Sequence, residues 1–368
     1  MKKIYKEYLK VFYITFLIII FILTIDLFIS KIVKLPILDK SCLDIKKILH
    51  KEERYFFYKL KPNCVNYANF PNLRPNKIVT DDDGLRVGKK KNNLYENVIV
   101  LGDSFSFGYG LDYNLSPIGL LEKEDKFNFF NLSVYGYSSS FNKYNLIQFL
   151  QKKKNFKFSK IIYFLDLSDV YDEGANTFYL ENYEYPMRKR IFFEEPSKED
   201  TYKKNFKLTN LLISEIRHQM RKFIFNLKNK NIDSKIYISK YVSFTHVSPE
   251  KFDNMVLEEI SSGLKRIKKE LNEISYIAKK NNIDFYLVIY PWPQTIMYGQ
   301  NFFNWENYAL ETCINIGCKK LINTFKTFND LYNGDNNLID KLYFNNEFHF
   351  NENGNKILAD EVLNKIFK

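Results

Sequence analysis

Two short segments far apart in the chain carry residues able to act together on an acyl group. The first is Val98–Gly110, VIVLGDSFSFGYG, an apolar run that ends in Gly102-Asp103-Ser104. A hydroxyl at the carboxyl end of a strand, where a helix can begin, sits beside free backbone N–H groups that bind a developing oxyanion. Gly102 permits the tight turn, and Asp103 is placed to hydrogen-bond the loop. A serine in such a turn is more often only a helix cap, so G-D-S by itself is a weak signal. The second segment is Glu347-Phe348-His349-Phe350-Asn351, just ahead of Gly354 and a last amphipathic stretch. A serine nucleophile needs a base for its proton, and the base needs an acceptor that fixes its tautomer. His349 suits the first role and Glu347 the second. The other histidines are His50, ahead of the strands, and His218 and His246, in a segment that interrupts them.

Elements able to position these segments are visible as apolar runs. Asn97–Leu101, Phe127–Leu132, Lys160–Asp166, Ile283–Tyr290 and, more weakly, Lys319–Asn323 read as buried parallel strands. A long helix is expected over about 252–280, with Val256, Ile260, Leu264, Ile267, Leu271, Ile274 and Ala278 at spacings of three and four. Ile357, Leu358, Val362, Leu363 and Ile366 mark a C-terminal helix. Strands alternating with helices predict a doubly wound α/β sandwich with its site at the carboxyl ends of the strands. Residues 175–250 interrupt the alternation. They contain one amphipathic pattern, with Leu208, Leu211, Leu212, Ile216, Met220, Phe223 and Leu227 on one face. This is an insertion that lies over the site as a lid, rests on a membrane, or packs on the sheet edge. Residues 35–90, with Pro36, Pro62, Pro71 and Pro75, read as a polar, irregular lead-in, and residues 91–368 as the catalytic domain. There is no internal repeat.

The 368 residues carry a net charge of +12, but the lysines are scattered and no nucleic-acid motif accompanies them, so no nucleic-acid partner is expected. The 17% aromatic content and the wealth of Lys, Asn, Ile, Phe and Tyr fit an AT-rich coding bias. The cysteines are Cys42, Cys64, Cys313 and Cys318, with no CxxC pair and no His at zinc spacing. Cys42 with Cys64 and Cys313 with Cys318 suit disulfides in an oxidising compartment; four free thiols fit the spacing equally well. At the N-terminus Lys2, Lys3, Lys6 and Lys10 precede VFYITFLIIIFILTI, Val11–Ile25, and the apolar run resumes after Asp26. Residues 11–30 just reach the roughly 20 apolar residues of a membrane span. No small-residue cleavage site follows, so a retained signal anchor over residues 1–34 is expected. It would keep the lysines in the cytoplasm and the rest of the chain outside the inner, or cytoplasmic, membrane.

The chemistry-bearing segments resemble the blocks of the SGNH/GDSL hydrolase family, in particular its bacterial membrane-anchored extracytoplasmic members, over about residues 78–174 and 255–368. Gly102–Gly108 is similar to G-D-S-x-(S/T)-x-G, which places the nucleophile at Ser104. Asp83-Gly84-Leu85-Arg86 looks like a D-G-F-R element found ahead of that block. Asn131-Leu132-Ser133 with Gly136-Tyr137 resembles the second block, whose glycine N–H is an oxyanion donor. Glu347–Gly354 is similar to D-x-H-x-N-x-x-G, with Glu in place of Asp. The third block, G-x-N-D, departs: Asp166-Leu167-Ser168-Asp169 stands there, with Ser168 on the Asn position. The resemblance implies a three-layer sandwich around a parallel five-stranded sheet, in the flavodoxin-like style. Its implied oxyanion hole consists of Ser104, Gly136 and Ser168, with Asp103 and Asp169 in support.

The expected reaction is two-step acyl transfer without metal or organic cofactor. With the extracytoplasmic placement, the resemblance implies an acyl ester, acetyl above all, on a cell-envelope polysaccharide. An O-acyltransferase would use the same residues with a glycan hydroxyl as acceptor. A non-catalytic glycan-binding protein on the same fold is the third reading. Pro291-Trp292-Pro293 offers an aromatic face for a sugar ring, although a rigid turn with a core Trp is the commoner meaning of such a motif.

Overall fold

The computed structural model describes residues 2–32, 42–47, 56–68, 73, 75–88, 91–174, 243–252, 254–345 and 347–368. The amphipathic pattern at 208–227 and most of the insertion lie outside the described residues, as do His50 and His218. The chain divides into two compact units, one of Met1–Lys40 with Arg190–Ser234, the other of Ser41–Lys189 with Lys235–Lys368.

In the first unit, α1 runs unbroken over Lys2–Ile32. Its large apolar side chains stand in the open, Phe12, Phe21 and Phe28 each more than 60% exposed. Among the described residues, no helix is long and apolar enough to cross a membrane, so the span expected at residues 11–30 is not established by the structure. Asp26 is buried.

The second unit is built on a parallel sheet. Its strands are β5 (Glu96–Leu101), β6 (Phe127–Asn131), β7 (Lys160–Phe164), β8 (Asp284–Ile289) and β9 (Lys320–Asn323), in the order β6-β5-β7-β8-β9. All the expected apolar runs are strands. Val98–Leu101 are wholly buried, as a strand covered on both faces must be. The chain reverses its winding between β5 and β7. In open α/β sheets ligands bind outside the strand ends at such a switch point.

Helices α2 (Ser104–Phe107), α3 (Pro117–Leu121) and α4 (Ser139–Lys152) follow in the first half of this unit. The long helix α5 (Asn254–Lys280) buries Ile260, Ile267, Leu271, Ile274 and Ala278 against the sheet. After β8 come α6 (Pro293–Tyr298), α7 (Trp305–Ile316), α8 (Phe325–Tyr332), α9 (Asn336–Leu342) and α10 (Glu352–Val362). Asn351 caps α10 by accepting from the N–H groups of Asn353 and Gly354. Gly354 has no room for a side chain: a Cβ would fall 2.3 Å from the Leu342 carbonyl oxygen.

The lead-in is not irregular. Strands β1 (Leu43–Lys47) and β2 (Phe56–Leu60) pair antiparallel, as do β3 (Val65–Ala68) and β4 (Asn76–Val79). Disulfides join Cys42 to Cys64 and Cys313 to Cys318, with Cα separations of 5.6 and 5.0 Å, both within the range such bonds require.

Candidate active site

Ser104 opens α2 directly after β5. The turn is dictated by its neighbours. Gly102 has φ +149°, and a Cβ there would lie 2.3 Å from the Ser106 hydroxyl oxygen. Its N–H donates to Asn142 Oδ1 at 2.9 Å. Asp103 is the N-cap, accepting from Phe105 N–H at 3.1 Å.

The last block arrives from the far end of the sequence. His349 Nε2 lies 2.8 Å from Ser104 Oγ, and His349 Nδ1 lies 3.2 Å from Glu347 Oε2. Nucleophile, base and orienting carboxylate are thus in line, each within hydrogen-bond reach of the next. Ser104 is 8% exposed and His349 6%. The imidazole is held by aromatic rings: Tyr109 stacks on it at 4.1 Å and 17°, Phe348 lies at 4.2 Å and Phe105 at 5.0 Å. Burial, and then the charge of Glu347, raise the Tyr109 phenol far above its usual value, so it stands there as a neutral ring. Tyr109 was not singled out by sequence reasoning; the only hint was an aromatic residue between the two glycines of Gly108-Tyr109-Gly110.

Gly136 lies in the turn after β6 with φ +76°, a left-handed conformation that suits glycine. That turn is tied to the nucleophile helix. Ser106 and Ser133 hydroxyls are 2.7 Å apart, and Asn131 Nδ2 donates to the Ser106 carbonyl at 3.1 Å.

The loop after β7 carries Ser168, the residue on the Asn position of the third block. The Ser168 N–H donates to Asp166 Oδ1 at 2.8 Å. The other Asp166 oxygen accepts from Trp292 Nε1 at 2.8 Å. Trp292 is fully buried and stacks on Phe348 at 4.1 Å and 6°. It therefore braces the histidine loop and offers no face to a sugar. Asp169 points into the core, where Tyr163 and Ser139 hydroxyls lie 3.2 and 3.4 Å from its Oδ2.

Asp103, Asp166 and Asp169 form a buried acidic group behind Ser104. Burial raises all three carboxyl groups; Asp166 further raises Asp103, and Asp103 further raises Asp169. Asp103 Oδ2 is 3.2 Å from Ser104 Oγ, so the nucleophile has a second acceptor beside His349. Asp166 as the keystone of this group escaped the sequence reading, because its partner Trp292 is 126 residues away.

No model of a known protein family matches the chain, and no curated protein matches it. Solved structures similar to it include a lipolytic protein of the G-D-S-L family from Veillonella parvula, with 14% identity, 74% of this chain and 98% of that chain covered, and a TM-score of 0.41. Another is the acetylxylan esterase Axe2 from Geobacillus stearothermophilus, with 11% identity, 75% and 97% covered, and a TM-score of 0.40. A third is the psychrotrophic esterase EstA from Pseudoalteromonas sp., with 14% identity, 74% and 96% covered, and a TM-score of 0.38. The functional reading stands on the geometry at Ser104, which has the constitution of a serine hydrolase.

Proposed function

We propose that this chain is a serine esterase that removes acyl groups, acetyl above all, from a cell-envelope polysaccharide. One observation carries the reading: the Ser104–His349–Glu347 relay, closed at 2.8 and 3.2 Å. In the first step His349 Nε2 takes the Ser104 proton and the oxygen attacks the ester carbonyl. Glu347 holds the Nδ1 proton and stabilises the imidazolium that forms. The oxyanion rests on the N–H groups of Ser104 and Gly136 and on the Ser168 hydroxyl. His349 then returns the proton to the leaving alcohol. Water, deprotonated by the same imidazole, releases the acid.

The cell-envelope half of the proposal rests on other features. The apolar run behind four lysines, continued as one helix with exposed phenylalanines, supports attachment of α1 to a lipid bilayer. The two disulfides support an oxidising compartment. The detergent-solubilised protein should release free acetate from acetylated glycans, and Ser104→Ala should not. Acetate appearing only on an added glycan acceptor would make the chain a transferase. No turnover on any ester would end the esterase reading.

A further inference from the structure

Arg86 is fully buried, although a guanidinium is almost never enclosed without a carboxylate. Among the described residues its acceptors are backbone carbonyls. Nη1 donates to the carbonyls of Phe107 at 2.5 Å and Gly108 at 2.9 Å. Nη2 donates to the carbonyl of Leu111 and reaches that of Lys77 at 3.4 Å. The guanidinium carbon also lies 4.6 Å from the centre of the Phe107 ring. Burial lowers the Arg86 pKa to about 10, yet the group stays charged at neutral pH.

The residues it grips are the far end of the nucleophile turn. Helix α2 has four residues, Ser104–Phe107, and a helix that short has no stability of its own. Its last carbonyls lack intrahelical partners and must be met from outside. Arg86 meets those of Phe107 and Gly108. The next residue is Tyr109, whose ring lies on His349. One side chain thus holds the C-terminus of the helix that begins with Ser104 and the stem of the ring that covers the base. Space is tight around it: a Cβ on Gly108 would lie 3.2 Å from Arg86 Nη1 and 2.3 Å from Ser116 Cβ.

Arg86 itself is anchored in the lead-in. Thr80 and Arg86 form an antiparallel bridge, and Val87 N–H donates to the Val79 carbonyl at 3.0 Å. Just ahead, Asp83 is paired with Lys152 and Lys153 at 2.7 and 2.6 Å. Gly84, at φ +76°, passes so close to β2 that a Cβ would lie 2.4 Å from the Leu60 carbonyl oxygen. The Asp83-Gly84-Leu85-Arg86 segment is therefore seated on its own supports before it reaches the site.

The geometry points to Arg86 as a positioning residue that sets the distance between Ser104 and His349, which makes the lead-in a working part of the catalytic unit. The inference rests on the esterase reading above. Lysine keeps the charge but loses the forked geometry that bridges several carbonyls. In full-length protein assayed on p-nitrophenyl acetate, Arg86→Lys should lower kcat by roughly 10–100-fold, the scale of a small misplacement of reacting groups. KM should stay within about threefold, because ground-state binding is not what the clamp serves. Near-UV circular dichroism should be unchanged.

Arg86→Ala, held below its unfolding temperature, should lose more activity and regain part of its kcat with guanidinium at sub-denaturing concentration, its near-UV spectrum constant throughout. Arg86→Lys with wild-type kcat would overturn the clamp and leave the esterase reading intact. So would activity losses in both variants that track the loss of near-UV signal and resist guanidinium, since Arg86 would then serve folding alone. A wild-type protein inert towards esters would overturn both.

Discussion

The loops that follow β5 and β7 are neighbours at the carboxyl edge of the sheet, and they use their polar groups in opposite ways. The loop after β5 turns outward. It gives the Ser104 hydroxyl to His349, and its cap Asp103 accepts from the helix it starts. The loop after β7 turns inward. Asp166 collects Ser168 and Trp292, and Asp169 meets Tyr163 and Ser139 within the core. The first loop presents the nucleophile and the second braces it from the core. A buried carboxylate at position 166 draws in the donors beside it, because leaving it unpaired is expensive.

The sharpest way to strain this contrast begins on the catalytic side. Glu347→Gln keeps the shape of the side chain but presents an amide to Nδ1, favouring the wrong tautomer of His349. Turnover should fall by roughly 10⁴-fold, as for orienting carboxylates in other serine hydrolases. Steady-state kinetics on an activated ester will read it, and a loss below tenfold would detach Glu347 from the relay.

The β7 loop should be sensitive at two positions for different reasons. Ser168→Ala removes the hydroxyl proposed for the oxyanion hole, so kcat should fall by roughly 10²-fold or more, the scale of a lost oxyanion donor. Asp166→Asn should act through the frame, because an amide has one acceptor oxygen where the carboxylate serves Ser168 N–H and Trp292 Nε1 with two. If Ser168→Ala kept full turnover, Ser168 would be a bystander to the oxyanion.

The smallest expected effect is on stability. Burial raises the Asp169 carboxyl above its unfolded value of about 3.9. The folded state then holds a proton that the unfolded state has released, and stability falls as pH rises through the folded pKa. Asp169→Asn removes this loss. Its thermal transition should decline less than that of the wild type between about pH 4 and neutrality, and the two should converge in acid. Parallel pH profiles would show that Asp169 is ionised in the folded protein.

Much of this arrangement is legible in the sequence because it depends on local pattern. Val98–Leu101 is apolar throughout, so the strand shows, and Gly102-Asp103-Ser104 marks its end. The Glu347-x-His349 turn before α10 is equally local. The lead-in hairpins did not show. Strand β4 pairs Asn76 and Lys77 with Ala68 and Tyr67, and such pairing leaves no clear alternation of apolar and polar residues. Arg86 shows in the sequence only as the end of the Asp83-Gly84-Leu85-Arg86 element, and its meeting with the Phe107 and Gly108 carbonyls reveals its place. Ser168 follows a buried strand, and its N–H is tied to Asp166 Oδ1 two residues earlier.

The central claim is that His349 activates Ser104 in the folded protein, and a fluorophosphonate probe tests it most directly. The probe phosphonylates a serine only where a base has made it nucleophilic. Incubated with the full-length protein and mapped by peptide mass spectrometry, it should label Ser104 alone. His349→Ala should slow labelling by several orders of magnitude. A wild-type protein that stays unlabelled, or one labelled equally fast without His349, would contradict the account.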